Sequence, residues 1–281
     1  MKLKALYIIR PVTSFAAAFL SLSAYYSLSP ASFNLYDALL IVLLIFSLGA
    51  ISFIVNDVLD IEKDRISHPD RPLITNDMSS REASGLAALL FIAIIVFAHL
   101  LKIEFSPLFL FVILGSLFYS VVNNSYGCVA NLIASLLSAS LVLIGVDIIP
   151  TKPSLLLICS GVSIFFLILG REILLDVLDI EADARINKKS LPLAVGKTKA
   201  YSIAKVSVFI SVLVAGVAGL AYGNYIYIAF YMAATILTLS AFITRSHDIE
   251  SISYTFKERT RTAFFIFSCG VGGSSVVLTM P

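Results

Sequence analysis

The sequence predicts an all-α polytopic membrane bundle of nine transmembrane helices, and three observations predict it. Hydrophobic residues make up 59% of the 281 residues and charged residues only 14%, with a mean hydropathy of +0.96. A soluble domain averages about 45–50% apolar and about 25% charged. The apolar residues run in stretches of about 20, the length at which a helix crosses the hydrocarbon core of a bilayer. Finally, all but two of the 20 Lys and Arg residues cluster on one side of the topology those stretches define, as the positive-inside rule requires of a multi-pass chain.

Taken in order, the stretches are 8–28, 36–56, 84–101, 105–122, 127–147, 154–175, 200–221, 223–244 and 260–279. The first follows Lys2 and Lys4 as a signal peptide would, but its apolar run is too long and Arg10-Pro11 interrupts its start, so it reads as a mature helix. The second and sixth contain the runs 39–50 and 155–170, which show no period of two and so exclude a β-barrel. The third and fourth are parted only at 102–105, and the seventh and eighth only at 222–224, so each pair reads as an antiparallel hairpin. Cys128, Cys159 and Cys269 lie inside apolar stretches without CxxC spacing and read as packing residues. With the N-terminus cytoplasmic, only Lys102 and Lys152 fall on the far side. The net charge of +2 is then a topology signal, and nucleic acid is not an expected partner.

The chemistry lies in an internal repeat. Asn56-Asp57-Val-Leu-Asp60-Ile-Glu-Lys-Asp64 is echoed by Asp176-Val-Leu-Asp179-Ile-Glu-Ala-Asp183, and Pro72-Leu73 by Pro192-Leu193. The repeated segments, 56–73 and 175–193, follow the second and sixth stretches within a single membrane domain over 1–281. On a straight helix, positions i, i+3 and i+7 share an arc of about 60°. Asp57, Asp60 and Asp64 therefore form one carboxylate stripe, and Asp176, Asp179 and Asp183 another, which Glu172 rejoins one turn earlier. Six like charges on facing helices repel unless something cationic lies between them. Magnesium prefers oxygen ligands and is usually held by one or two carboxylates together with substrate phosphates, so the stripes read as a magnesium–diphosphate site.

A single Asp-x-x-Asp after a membrane helix is ordinarily a solvated juxtamembrane segment. Two copies at the same spacing, facing the same compartment, point to function. Arg65, Arg71, Arg185, Lys188 and Lys189 serve either as topology signals or as diphosphate contacts. Arg10, at the cytoplasmic opening of the first helix, suits an acceptor phosphate. His68, His99 and His247 are scattered and lack metal-ligand spacing.

The two Asp-rich motifs, after the second and sixth of nine helices, resemble those of the UbiA superfamily of intramembrane prenyltransferases. Ile9-Arg10-Pro11 and Arg171-Glu172 are most similar to its archaeal digeranylgeranylglyceryl phosphate synthase branch. The resemblance implies a bundle around a central cavity with a cytoplasmic polar cap. It implies Mg2+ held by Asn56, Asp57, Asp60, Asp64, Asp176, Asp179 and Asp183, with Arg10, Arg65, Arg71, Tyr119, Glu172 and Lys188 against the substrates. The family's Lys shortly after the Tyr of its fourth helix is missing here, since Ser120, Val121, Val122, Asn123 and Asn124 follow Tyr119. Thr13 stands where that branch is expected to carry Asn.

The reaction expected is Mg2+-dependent transfer of a polyprenyl group, geranylgeranyl in the first instance, from its diphosphate to a lipid acceptor. The acceptor implied is geranylgeranylglyceryl phosphate, with archaeal ether-lipid biosynthesis as the setting and the multi-pass cell membrane as the location. An aromatic acceptor such as 4-hydroxybenzoate or a naphthoate is the alternative. A carboxylate-coupled transporter would also repeat acidic helices, but with its acids near the bilayer midplane, whereas these lie at helix ends.

Overall fold

Helices are the only regular elements among the described residues, as expected where backbone groups must satisfy one another within lipid. The computed structural model describes residues 3–28, 30–123, 125–149, 151–243 and 248–275. Lys2, Asn124, Arg245 and His247 lie outside the described residues, as does the Lys4 side chain. The helices are α1 (Pro11–Leu28), α2 (Leu35–Leu59), α3 (Ile61–Ser67), α4 (Ser80–Leu100), α5 (Pro107–Asn123), α6 (Gly127–Ser140), α7 (Leu155–Leu178), α8 (Ile180–Arg185), α9 (Leu191–Val195), α10 (Lys197–Tyr222), α11 (Tyr225–Ser240) and α12 (Ile249–Gly273).

Local chemistry places several boundaries. Ser79 and Glu82 form a reciprocal capping box at the start of α4, and Ser154 caps α7 by accepting from the Leu157 amide. Between α10 and α11 the chain turns on Gly223, whose φ of 60° is left-handed, and Asn224 then caps α11. That is the tight hairpin expected at 222–224.

Two expectations need correction. Among the described residues six helices are long and apolar enough to cross a membrane, α5 and α6 are shorter apolar helices, and the stretch expected over 260–279 falls on α12, its residues from 276 on lying outside the described residues. The stretch expected to be one helix over 127–147 instead stops at Ser140 and passes through a turn into a short 3-10 segment, Ile144–Asp147. Gly145 packs there against the backbone of Tyr25, 3.0 Å from where a Cβ would stand. The second correction concerns the motifs. Neither lies on one straight helix, because α2 breaks at Asp60 (φ −94°, ψ 13°) and α7 breaks at Asp179 (φ −93°, ψ 6°). Each chain then restarts as a short helix, α3 or α8, and these two pack together. The duplication is therefore one of shape as well as of sequence.

Packing follows the membrane pattern. Large apolar side chains such as Leu89, Ile92, Val206, Phe209 and Val217 face outward, far beyond the apolar patch a soluble monomer tolerates. Inside, small and hydroxylated residues bring helices close: Ser163 bonds the Ser211 carbonyl and hydroxyl across α7 and α10 at 3.0 and 2.9 Å. At Gly170, a Cβ would meet Val208 Cγ2 at 2.8 Å and the Ala204 carbonyl at 2.9 Å. One apolar core joins α1, α2, α4 and α5, and a second joins α1, α7, α10, α11 and α12. Cys159 and Cys269 are half-buried in their helices, whereas Cys128 is exposed rather than packed.

Candidate active site

Both helix breaks open onto one cavity of about 520 Å³. Breaking a helix at its middle Asp frees that side chain from the helix wall, and neither Asp60 nor Asp179 spends its carboxylate on capping the helix that follows. Asn56, Asp60, Asp64, Asp176 and Asp179 line the cavity, together with Arg10, Arg71, Tyr119, Glu172 and Lys188. Asp57 and Asp183 are buried but are not among the lining residues. Arg65 lies on the exposed face of α3, outside the cavity wall.

At the first motif, Arg10 Nη2 donates to Asp57 Oδ1 at 2.6 Å, and Arg71 Nη1 donates to the same oxygen at 3.0 Å. Arg71 also donates to Asp64, so one guanidinium ties the first Asp to the third across the break. Arg10 is held by a backbone φ of 42° and by Phe53, whose ring centre is 4.5 Å from the guanidinium carbon. Asn56 Nδ2 donates to Asp60 Oδ2 at 2.8 Å, leaving Asp60 Oδ1 buried without a hydrogen-bond partner.

At the second motif the partners are lysines. Lys188 lies 3.2 Å from Asp176 Oδ1 and 3.5 Å from Asp183 Oδ2, and Asn131 Nδ2 donates to Asp176 Oδ2 at 2.8 Å. Lys63 crosses from α3 to Asp179 at 2.9 Å and Asp183 at 3.0 Å. One trace of this contact is legible in the sequence. Lys63 aligns in the repeat with Ala182, which is itself buried beside Asp183. A second lysine there would add a buried charge rather than a bridge.

Burial and charge set the ionisation of the cap. Burial raises the Asp60 carboxyl above the usual range even though Lys63 and Arg71 pull it down. Burial pushes Asp64 up to about 6, against Arg71. Burial acts upward on Asp179 as well, but Lys63 beside it wins and holds it below the usual carboxylate range. Burial lowers Lys63, and the Asp179 and Asp183 carboxylates more than reverse that. His68, 3.8 Å from Asp179 and lining the cavity, is lowered to about 4 by burial and by Arg71. The sequence showed His68 only as one of three scattered histidines. Asn131, too, lies in no motif.

The donor set is chemically suited to magnesium, being made of hard oxygens, one of them the buried, unpartnered Asp60 Oδ1. Among the described residues no three acidic, His or Cys side chains converge tightly enough to chelate an ion alone. The six carboxylates therefore do not form the face-to-face cage that straight stripes suggest. Four line a shared space, and two are turned onto cations behind it. Such a site suits an ion that completes its shell with phosphate oxygens.

Comparison with known proteins gives the fold and the family. Digeranylgeranylglyceryl phosphate synthase of Sulfurisphaera tokodaii is 30% identical over 207 residues, covering 73% of this chain and 74% of that protein. A structure described for digeranylgeranylglyceryl phosphate synthase in membranes superposes with a TM-score of 0.70 at 24% identity, covering 96% of this chain and 97% of that one. A UbiA homologue from Archaeoglobus fulgidus bound to DMAPP and Mg2+ gives a TM-score of 0.67 at 19% identity, covering 99% and 100%. These two structures show a shared fold. The profile of the UbiA prenyltransferase family matches residues 14–269, from α1 through most of α12, and the chain belongs to that family.

Proposed function

We propose that this protein transfers a geranylgeranyl group from its diphosphate to the hydroxyl of geranylgeranylglyceryl phosphate, at the cytoplasmic face of the cell membrane and in the service of ether-lipid synthesis. The whole chain acts as one domain. One observation carries the reading: two Asp-broken helix ends open onto a single cavity whose polar mouth runs into apolar walls that include Leu48, Val112, Leu137, Ile168 and Phe264. Such a space takes an amphiphile head first. The relatives' names support the acceptor, and the Mg2+ and prenyl diphosphate bound by the A. fulgidus homologue support the donor and the metal.

Asn56, Asp60, Asp64, Asp176 and Asp179 would hold Mg2+. When bound there, it would supply positive charge to offset the charge that develops on the leaving diphosphate. Arg71 and Arg10 keep Asp57 and Asp64 fixed, while Lys63 and Lys188 keep Asp176, Asp179 and Asp183 fixed, so the carboxylates need not reorganise when the charge moves. Lys188 also puts a cation in the cavity wall, filling a role expected of the Lys missing after Tyr119. The ring of Tyr119 lines the same wall, and an aromatic face stabilises a nearby carbocation. The apolar walls exclude water, which would otherwise capture the cation. The bonding pair of the broken bond leaves on the diphosphate. The acceptor hydroxyl forms the new C–O bond and releases its proton.

The test is turnover by purified protein with labelled geranylgeranyl diphosphate and Mg2+, offering geranylgeranylglyceryl phosphate, 4-hydroxybenzoate and a naphthoate in separate reactions. The lipid acceptor should be the one prenylated, and EDTA should abolish the reaction. Asp60→Asn and Asp179→Asn should each slow it by at least about 100-fold, as loss of a metal ligand does. Full activity in EDTA would overturn the metal, and prenylation of an aromatic ring alone would overturn the acceptor.

A further inference from the structure

We infer that the cavity carries a second anion site beside the diphosphate-binding motifs, formed by Lys257 and Arg261 of α12 with Arg171 of α7, and that it receives the phosphomonoester of the acceptor. This rests on the acceptor class proposed above. In the sequence Lys257 and Arg261 read only as topology signals, and Arg171 only as part of the Arg171-Glu172 resemblance.

The cations around the cavity divide into two kinds. Arg10, Arg71, Lys63 and Lys188 are all committed to motif carboxylates, with contacts out to 3.5 Å. Lys257, half-buried in the wall, makes no ion pair among the described residues. Arg261 reaches only Glu258, at 3.4 Å, and its Nε is buried without a hydrogen-bond partner. Arg171 keeps one contact, to Glu172 at 2.7 Å. All three line the cavity, and Lys257 feels the like charges of Arg171 and Arg261 against the opposite charges of Asp179 and Glu258. Like charges gathered in a partly dry wall are unfavourable without an anion among them. The carboxylates nearby are already paired, Asp179 with Lys63, Glu172 with Arg171 and Glu258 with Arg261, and these pairs leave the Lys257 ammonium and the Arg261 Nε for an added anion.

The spacing on α12 says what kind of anion. Lys257, Thr260, Arg261 and Phe264 occupy i, i+3, i+4 and i+7, one face of the helix, and all four line the cavity. The stripe is cationic toward the start of α12 and apolar one turn deeper, where Phe264 packs with the second apolar core. A ligand that meets this face carries its charge at one end and hydrocarbon immediately behind it. A prenylated glycerol phosphate has that form. Arg10, by contrast, already gives its guanidinium to Asp57 and Phe53, so its first duty is positioning the motif.

The experiment measures binding separately from turnover, so failure of the site and failure of the proposed reaction are told apart. The full chain in zwitterionic nanodiscs is titrated with geranylgeranylglyceryl phosphate and with the uncharged geranylgeranylglycerol. The wild type should bind the phosphate at least about tenfold more tightly, and Lys257→Gln/Arg261→Gln should erase that preference, as loss of charge-assisted bonds does. Affinity for geranylgeranyl diphosphate with Mg2+ should stay within about threefold, and the alcohol should bind the variant as it binds wild type, which also shows that the variant is folded. Lys257→Arg should keep the preference. The site is overturned if the double variant loses donor rather than acceptor affinity, if the wild type fails to distinguish phosphate from alcohol, or if 4-hydroxybenzoate depends on the pair while the phosphate does not. Loss of the preference in discs of anionic lipid would show a site for bulk headgroups and would equally overturn the assignment. A protein that shows the binding pattern but prenylates only aromatic rings keeps the anion site and loses the proposed reaction.

Discussion

Two titratable side chains at the cavity mouth are moved in opposite directions by the same burial. Asp64 is pushed up to about 6, chiefly by burial with Asp57 and Asp60 adding to it, while His68 falls to about 4, chiefly by burial with Arg71 adding to it. Their unfolded values lie near 3.9 and 6.5. Between pH 4 and 6 the folded chain therefore binds more protons at Asp64 than the unfolded chain, and that term of stability is lost as pH rises through 6. At His68 the unfolded chain binds more protons between 4 and 6.5, so that term is lost as pH falls. The two oppose each other, and the metal-free protein should show a nearly flat Tm over this window. Asp64→Asn should make Tm fall on acidification, and His68→Gln should make it rise. Thermal unfolding in EDTA from pH 4.5 to 6.5 checks both signs, and parallel profiles for the two variants would refute the assignment. Asp60, raised by its own burial, acts with Asp64 and so moderates the first slope.

At the scale of elements, the repeat and its spacing were legible because they need only local sequence. The break at each middle Asp was not. No Gly or Pro marks it, and the turn of backbone around Asp60 and Asp179 keeps its i to i+4 bonds, with Asp64 N–H to the Asp60 carbonyl at 2.8 Å and Asp183 N–H to the Asp179 carbonyl at 2.9 Å. What bends the chain is the packing of α3 against α8 and the reach of Lys63 to Asp179, contacts between residues more than a hundred positions apart. The same long range hid Gly127, which opens α6 and carries Lys188 across its bare Cα. A Cβ there would stand 2.7 Å from Lys188 Cε and 3.3 Å from the Ser190 Cα. The 2.7 Å clash falls on the flexible end of Lys188, so relieving it draws the ammonium away from Asp176. Gly127→Ala should cost about 1–3 kcal/mol, the range for overpacking, and should lower turnover to the extent that it displaces Lys188 from Asp176. Gly85 of α4 meets nothing within 4 Å, so Gly85→Ala should be neutral or gain up to about 1 kcal/mol through the unfolded chain. Equal losses from the two glycines, in unfolding and in assay, would count against the seating of Lys188.

For the whole molecule, the question is whether both motifs share one compartment, since a site built from the ends of α2 and α7 requires it. Eighteen of the 20 basic residues fall on one side of the nine-stretch topology expected from the sequence, and that topology would put both motifs in one compartment. The structure also dictates where to probe. Ser190, which the sequence offers as a loop position, is fully buried, so a cysteine there would stay unlabelled whatever the topology. Glu62 on α3 and Glu181 on α8 are exposed and occupy matching places in the repeat, and Ser32 is exposed between α1 and α2 at the far end of those helices. In intact cells, with Cys128, the one exposed native cysteine, replaced, an impermeant maleimide should label Ser32→Cys. It should reach Glu62→Cys and Glu181→Cys only after the membrane is opened. Labelling of Glu62→Cys and Glu181→Cys from opposite faces would separate the motifs by a bilayer, and the ion pairs of Lys63 with Asp179 and Asp183 could not then exist.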